Sequence, residues 1–135
     1  MYIADGKTNG PAFSWPDGKR IAVMVTFDYD AEFLRISRAK SKGTSIGFTD
    51  FSRGQYGPHE GLARCLDMLD TMNIKSTFFV PGAVIETYRD TVEEIHRHGH
   101  ELACHGYRHE SDPELSRDEM IKILDKSEAL LAEIT

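Results

Sequence analysis

Two aspartates and two histidines have spacings that suit a metal-ion site. Asp28 and Asp30 directly follow an apolar run at 21–27, and side chains at positions i and i+2 of a strand point to the same face. His105 and His109 lie four positions apart, directly after another predicted strand. Each pair taken alone also fits a plainer interpretation, with the aspartates as turn or cap residues and the histidines as surface residues of a polar loop.

The two pairs together favour chemistry over that plainer interpretation. The carboxyl ends of parallel strands meet at one edge of a sheet, where α/β proteins place their ligand sites. Two histidines and one carboxylate form a facial triad with open coordination positions, and three protein ligands plus water are typical of catalytic zinc. Because one aspartate suffices as a ligand, the other can take a proton from metal-bound water. The pattern predicts a divalent metal, zinc first, and hydrolysis at a carbonyl carbon.

The remaining histidines show no comparable pattern. His96, His98 and His100 do not share one face of a helix, and histidines near a helix C-terminus interact favourably with its dipole. His59 stands at the predicted start of another helix. The sequence has no Gly-rich phosphate motif, no CxxC pair and no GxSxG elbow. We therefore expect the metal chemistry to involve only the two aspartates and two histidines named above, Asp28, Asp30, His105 and His109.

Short β-branched runs alternate with helical periodicity, which predicts an α/β fold with a parallel sheet. The predicted strands are 21–27, 76–80 and 101–104. The first is a continuous apolar run, which is typical of a strand buried on both faces. Residues 31–57 show no clear period, and a connection of that length is usually functional or disordered.

Helix starts and stops can be located from individual residues. Pro58 suits the first turn of a helix, and the apolar stripe that follows consists of Leu62, Leu66, Leu69 and Met72. A second helical segment covers 84–98, with a break expected near Tyr88. Asn73 and Gly99 are predicted stops. Ser116 and Glu119 form a capping box, which predicts the start of the last helix.

The composition indicates one folded domain that binds neither nucleic acid nor a membrane. The 135 residues are 40% hydrophobic and carry a net charge of −6, which disfavours nucleic-acid binding, and no apolar run reaches the roughly 18 residues of a membrane span. Cys65 and Cys104 are expected to be packed thiols rather than a disulfide framework. The N-terminal residues lack the basic and apolar regions of a signal peptide, so we expect a cytoplasmic protein.

The segment between Phe33 and Arg53 is locally basic. Five cations, opposed only by Asp50, lie there: Arg35, Arg38, Lys40, Lys42 and Arg53. Two interpretations stay open, an anchor for an anionic group and an ordinary solvated loop.

Three ordered motifs resemble those of the polysaccharide deacetylase (NodB-like) superfamily. The segment Thr26–Glu32, with the sequence TFDYDAE, is similar to its first motif, and His105–Glu110, with the sequence HGYRHE, is similar to its metal-binding second motif. The segment Ser76–Gly82 resembles the strand between them. The sequences of these motifs resemble in particular a branch that contains peptidoglycan deacetylase-like proteins, cofactor-independent allantoinases and some cyclic imide hydrolases. The similarity spans roughly 15–130.

The resemblance implies a fold and a set of roles. The fold would be the N-terminal portion of a distorted (β/α)7 barrel. By matching position, Asp28 would be the catalytic base, and Asp30, His105 and His109 would be the ligands of a divalent metal, usually zinc. The reaction would be hydrolysis of a carbon–nitrogen amide bond other than a peptide bond. The substrate would be an N-acetylated sugar or a small amide, ureide or cyclic imide.

The family pattern also includes later motifs. An arginine with a neighbouring oxyanion amide, and a histidine acting as general acid, would follow Thr135. We therefore expect residues 1–135 to be a deacetylase-like domain that is incomplete at its C-terminus. The alternative from another class is a non-catalytic, metal-binding half-barrel that needs a partner or the missing half. Since three unclosed strands leave an edge and an apolar face, a homo-oligomer is expected.

Overall fold

Three short parallel strands form the sheet, in the order β1-β2-β3. A computed structural model describes residues 16–110 and 115–135, so the N-terminal residues behind the compartment prediction lie outside the described part. The strands are β1 (Thr26–Asp28), β2 (Thr77–Val80) and β3 (Glu101–Cys104). β1 pairs with β2 through Thr26 opposite Thr77, and β2 with β3 through Thr77 opposite Glu101. The α/β class and the parallel arrangement are confirmed.

Six α-helices surround this sheet in the described residues. They are α1 (Phe33–Ser41), α2 (Phe48–Tyr56), α3 (Leu62–Thr71), α4 (Gly82–Thr87), α5 (Arg89–Arg97) and α6 (Arg117–Ala132). A π-helical turn at Gly57–Gly61 joins α2 to α3, and a 3-10 turn covers Pro16–Gly18.

The first strand is shorter and more exposed than the sequence predicts. Ile21, Val23 and Met24 are 74%, 78% and 88% exposed, respectively. The Thr77 amide donates to the Val25 carbonyl, so 21–24 extend past the start of β2 and have no ladder partner among the described residues. The prediction that 21–27 is a strand buried on both faces is therefore wrong.

The segment 31–57 is mostly helical, contrary to the absence of any visible period. It forms α1 and α2, which pack against each other. No residue of α1 is buried, and only Gly54 is buried in α2. Each helix has only nine residues, fewer than the roughly 11–18 over which hydrophobic periodicity is read, which is why periodicity missed them.

Pro58 lies inside a helical stretch instead of opening one. It belongs to the π-helical turn, where its missing N–H and its ring account for the departure from α geometry. The predicted stops and breaks are confirmed elsewhere. Asn73 and Gly99 have φ of 52° and 75° just after their helices, and the chain breaks at Tyr88 between α4 and α5.

The core lies between β2 and the helices on its faces. Its buried apolar side chains include Leu66, Leu69, Phe78, Val80, Val84, Ile85, Val92 and Ile95. The capping box at Ser116 and Glu119 is present and starts α6 as predicted. Both cysteines are free and half-buried, as expected. Among the described residues, no helix has the length and apolarity that a bilayer crossing requires.

Candidate metal centre

One carboxylate and two imidazoles converge beyond the carboxyl end of the sheet. Asp30, His105 and His109 each offer a ligand atom, and these atoms all lie within 4.8 Å of one another. His105 Nε2 is 3.5 Å from Asp30 Oδ1, and His109 Nε2 is 4.0 Å from Asp30 Oδ2. The distances exceed those of direct hydrogen bonds, so the three groups face a common point without bonding to one another.

The strands position two of these residues. Past the end of β1, the Tyr29 amide donates to Phe79 O at 2.8 Å, which keeps the chain beside β2 up to Asp30. Past the end of β3, the His105 amide donates to Val80 O at 3.2 Å. Both ligand candidates are thus fixed by hydrogen bonds that continue the parallel ladder to its carboxyl edge.

The carboxylate at the centre of the site is poorly solvated. The Asp30 side chain is only 12% exposed, and its Oδ1 has no hydrogen-bond partner; the same is true of His105 Nε2. Burial raises the pKa of Asp30 above its usual range, while the neighbouring His105 and His109 oppose that rise. Unpartnered buried polar atoms are rare in folded proteins, and here a divalent cation would satisfy both atoms.

The loop that carries the histidines contains two residues with positive φ. Gly106 and His109 have φ of 68° and 60°, and such values are uncommon for a residue with a side chain. Glu110 stabilises the turn, because its carboxylate accepts hydrogen bonds from the amides of Tyr107 and Arg108. The two imidazole rings consequently stand edge to face at 5.0 Å.

Two helices, α4 and α6, donate hydrogen bonds to this loop. The amides of Gly82 and Ala83, at the start of α4, donate to the carbonyls of Gly106 and Tyr107. Ser127 of α6 is fully buried and donates to Gly106 O at 2.8 Å. A Cβ on Gly82 would stand 2.7 Å from the Tyr107 ring, so this close approach requires glycine.

The helix α1 forms the other side of the site. Ser37 donates from its hydroxyl to the His109 carbonyl at 2.5 Å. The guanidinium of Arg38 is near enough to help lower the pKa of Asp30. Arg35 pairs with Asp50 of α2 at 3.2 Å, so part of the basic segment links two helices.

Asp28 lies beside the three converging residues and not among them. It is the last residue of β1 and is exposed, and its charge acts to raise the pKa of Asp30.

Three of the other histidines lie outside this cluster. His98 bonds Asp70 and Glu94, His100 is buried beside Phe78, and His59 stacks edge to face on Tyr88.

Sequence reasoning missed three residues that support the site. Glu110 was part of a recognised motif without an assigned role, and Ser37 lay in a segment with no detected period. Ser127 had a readable signal, because it falls at helical spacing between Leu124 and Leu131 on the apolar stripe of α6. A small polar residue at such a position points to a hydrogen bond within the core.

Comparisons with known proteins show which family this chain belongs to. The sequence profile of the polysaccharide deacetylase family matches residues 16–135. A peptidoglycan deacetylase of Helicobacter pylori is 33% identical over 117 residues, which cover 87% of this chain and 39% of the relative. A crystal structure described as a polysaccharide deacetylase from Mycobacterium smegmatis is 40% identical with a TM-score of 0.79, covering 93% of this chain and 44% of that one.

A more distant structure shares the fold. The Puue allantoinase is 20% identical with a TM-score of 0.77, over 90% of this chain and 45% of its own. These matches confirm the predicted fold, a parallel α/β arrangement of the deacetylase barrel type. The chain spans less than half the length of each of these three proteins. It belongs to the polysaccharide deacetylase family, whose members are hydrolases and are generally metal-dependent.

Proposed function

We propose that this chain supplies the metal-binding part of a hydrolase that cleaves carbon–nitrogen amide bonds other than peptide bonds. Asp30, His105 and His109 are the proposed ligands, zinc is the proposed metal, and Asp28 is the proposed base. The observation that carries the proposal is that one ligand atom from each of these three residues lies within 4.8 Å of the other two. In the same cluster, Asp30 Oδ1 and His105 Nε2 are buried and have no hydrogen-bond partner.

The donor set suits a catalytic ion. One carboxylate and two imidazoles match the ligand preference of zinc, and three protein ligands leave a coordination position free. Burial raises the pKa of Asp30 although His105 and His109 oppose the rise, and a bound cation would favour the ionised carboxylate. When bound, zinc lowers the pKa of a water ligand and polarises a carbonyl oxygen.

The chain's own groups would carry the remaining steps. Asp30 and the two histidines would hold the cation at the mouth of the sheet. The carboxylate of Asp28, exposed at the end of β1, would accept the proton of the attacking water. A cavity of about 420 Å³ opens beside His105 and His109, with Leu115 and Ile123 in its wall, and would admit the acyl portion of a substrate.

The substrate class is proposed at two levels. Any substrate needs an amide carbonyl that can approach the open side of the triad. Within that class, an N-acetylated sugar is supported by the similarity to the Helicobacter protein. A small amide, ureide or cyclic imide is the second option. It is supported by the resemblance of the motif sequences at Thr26–Glu32 and His105–Glu110 to those of allantoinases and cyclic imide hydrolases.

A paired binding and turnover experiment tests the proposal. The purified chain would be stripped with chelator and titrated with Zn²⁺ by calorimetry, beside Asp30→Ala and His105→Ala as site variants and His96→Ala as a surface control. The zinc-loaded chain would then be offered chitooligosaccharides, allantoin and succinimide. We expect one tight site that only the site variants lose. Equal zinc affinity in all four proteins would contradict the ligand assignment.

A second candidate function is a metal-binding module that works only within a larger assembly. It is favoured by the exposed apolar residues Ile21, Val23 and Met24 beside β1, whose outer edge has no partner among the described residues. An exposed strand edge and an apolar patch are typical of surfaces that associate. A second copy of this chain is the proposed partner.

The two candidates predict different behaviour. A homo-oligomeric module would bind zinc without turnover and would be larger than 15.2 kDa in light scattering after gel filtration. Replacing Val23 and Met24 by Lys would then dissociate it while zinc binding persists. Turnover of any of the three substrates by the isolated chain would rule out the non-catalytic interpretation.

A further inference from the structure

We propose that Ser37 is a positioning residue that fixes the orientation of His109 in the metal centre. The inference rests on the proposed metal site and adds a residue to it. Ser37 lies on α1, in the segment where the sequence shows no period, and 72 positions before the histidine it contacts. Its role would explain why a helix without a buried residue is placed beside this site.

The contact joins a side chain to the backbone of a ligand candidate. Ser37 Oγ donates to the carbonyl oxygen of His109 at 2.5 Å, in a partly buried position. The bond fixes the peptide plane that follows His109, and that plane sets the direction of the Cα–Cβ bond. The hydroxyl therefore acts on the imidazole through the backbone and touches neither the ring nor the reacting atoms.

The backbone of His109 needs such a restraint. Its φ of 60° lies in the left-handed region, which side-chain-bearing residues visit at a cost. Conformations of this kind persist only where the surroundings over-determine them. Glu110 restrains the start of the turn at Tyr107 and Arg108, and Ser37 restrains its far end.

The two histidines are held by different means, which makes the inference testable. His105 is anchored by the sheet, through its amide bond to Val80 O. His109 follows a left-handed turn and is anchored from α1. Loss of the Ser37 hydroxyl should thus disturb one imidazole and leave the other in place.

Ser37→Ala is a suitable variant, because alanine is the better helix former and the fold should be retained. Ser37→Thr restores a hydroxyl as the conservative rescue. Ser41→Ala is the matched control: Ser41 lies one turn further along the same helix, and its hydroxyl donates to Ser37 O. All four proteins would be titrated with Co²⁺, whose visible absorption reports coordination geometry.

We expect Ser37→Ala to weaken Co²⁺ binding by about tenfold or more, the usual effect of losing a group that orients a ligand, and to change the visible spectrum. Ser41→Ala and Ser37→Thr should resemble the wild type. In the metal-free chain, imidazole ¹⁵N shifts should move for His109 and stay constant for His105, while circular dichroism shows that the fold is retained. Wild-type affinity in Ser37→Ala, or an equal loss in Ser41→Ala, would overturn the inference.

Failure of the proposed function would look different. If the wild-type chain bound no Co²⁺, the ligand assignment would fail for all four proteins alike. The metal-free ¹⁵N comparison would still decide whether Ser37 orients His109, since that measurement needs no bound ion. An undisturbed His109 in metal-free Ser37→Ala would reject the positioning role.

Discussion

Gly54 of α2 packs directly on the backbone of Glu32, and a Cβ at Gly54 would lie 2.4 Å from Glu32 Cα. Glu32 is itself buried, and its carboxylate accepts hydrogen bonds from the Tyr88 hydroxyl at 3.1 and 3.0 Å. It follows Asp30 by two positions. The close approach therefore fixes the chain immediately after the proposed carboxylate ligand.

The first prediction concerns that approach. Gly54→Ala should destabilise the chain by about 1–3 kcal/mol, because the new methyl overlaps backbone atoms that cannot rotate away. Urea unfolding followed by circular dichroism measures the effect. Gly57→Ala is the matched control, since Gly57 has helical φ of −54° and nothing within 4 Å of its added Cβ. Equal unfolding midpoints for the two variants would show that α2 moves freely away from Glu32.

The second prediction separates the two aspartates. Asp28→Asn keeps the shape of the side chain but cannot accept a proton, so turnover should fall by about 10²–10⁴ while zinc affinity is retained. The assay uses whichever substrate the zinc-loaded wild type hydrolyses. Asp50→Asn, an exposed change on α2, controls for altered net charge. Loss of zinc binding in Asp28→Asn would make this residue a ligand instead of a base.

The third prediction follows from the burial of Asp30. Because burial raises its pKa in the folded, metal-free chain, the unfolded chain ionises this carboxyl more readily, and stability is lost as pH rises through the raised value. Asp30→Asn should therefore raise the melting temperature in EDTA at pH 7.5 and abolish zinc binding. Asp28→Asn should give a smaller gain, because it removes only the repulsion between the two carboxylates. A lower melting temperature for Asp30→Asn would contradict the destabilising effect of burying the ionised carboxylate.

The fourth prediction concerns His98, far from the metal centre. Its ring nitrogens lie 2.6 Å from Asp70 and 3.0 Å from Glu94, and these carboxylates, Asp70 first, raise the pKa of His98. The stability it contributes is complete below its ordinary pKa of about 6.5 and is lost as pH rises through the raised value.

His98→Gln should accordingly reduce the free energy of unfolding more at pH 6 than at pH 9. Urea titrations at a series of pH values measure this difference. His96→Gln, an exposed change near the end of α5, is the control. It should change the free energy of unfolding equally at pH 6 and at pH 9. A pH-independent loss in His98→Gln would mean that the ring is neutral in the folded chain.

Local chemistry made several elements predictable from sequence. The strand 101–104 matches its predicted bounds, and α6 starts at its capping box because Ser116 and Glu119 satisfy each other within four residues. Asp30 lies near His105 and His109 because parallel strands share a carboxyl edge. None of these inferences needed knowledge of distant contacts.

The errors share a physical cause, which is dependence on packing partners. The extent of β1 is set by where β2 begins, and that limit is not encoded in the residues 21–24. The helix α1 is stabilised by α2 and by the bond from Ser37 to His109, and its nine residues are fewer than the roughly 11–18 over which hydrophobic periodicity is read. The support that Ser37 and Gly82 give to the site was likewise invisible to local patterns, whereas Ser127 could be read from its position on α6.

The helical stretch from Phe48 to Thr71 runs through α2, the π turn and α3 without a break. At about 1.5 Å per residue it is far longer than the four-residue strand β2 that follows it, and it places Gly54 against Glu32. One residue added between Gly54 and Leu62 would turn Gly54 by about 100° and bring a larger side chain against that backbone. Homologous sequences should therefore vary here by substitution and keep the length of this segment.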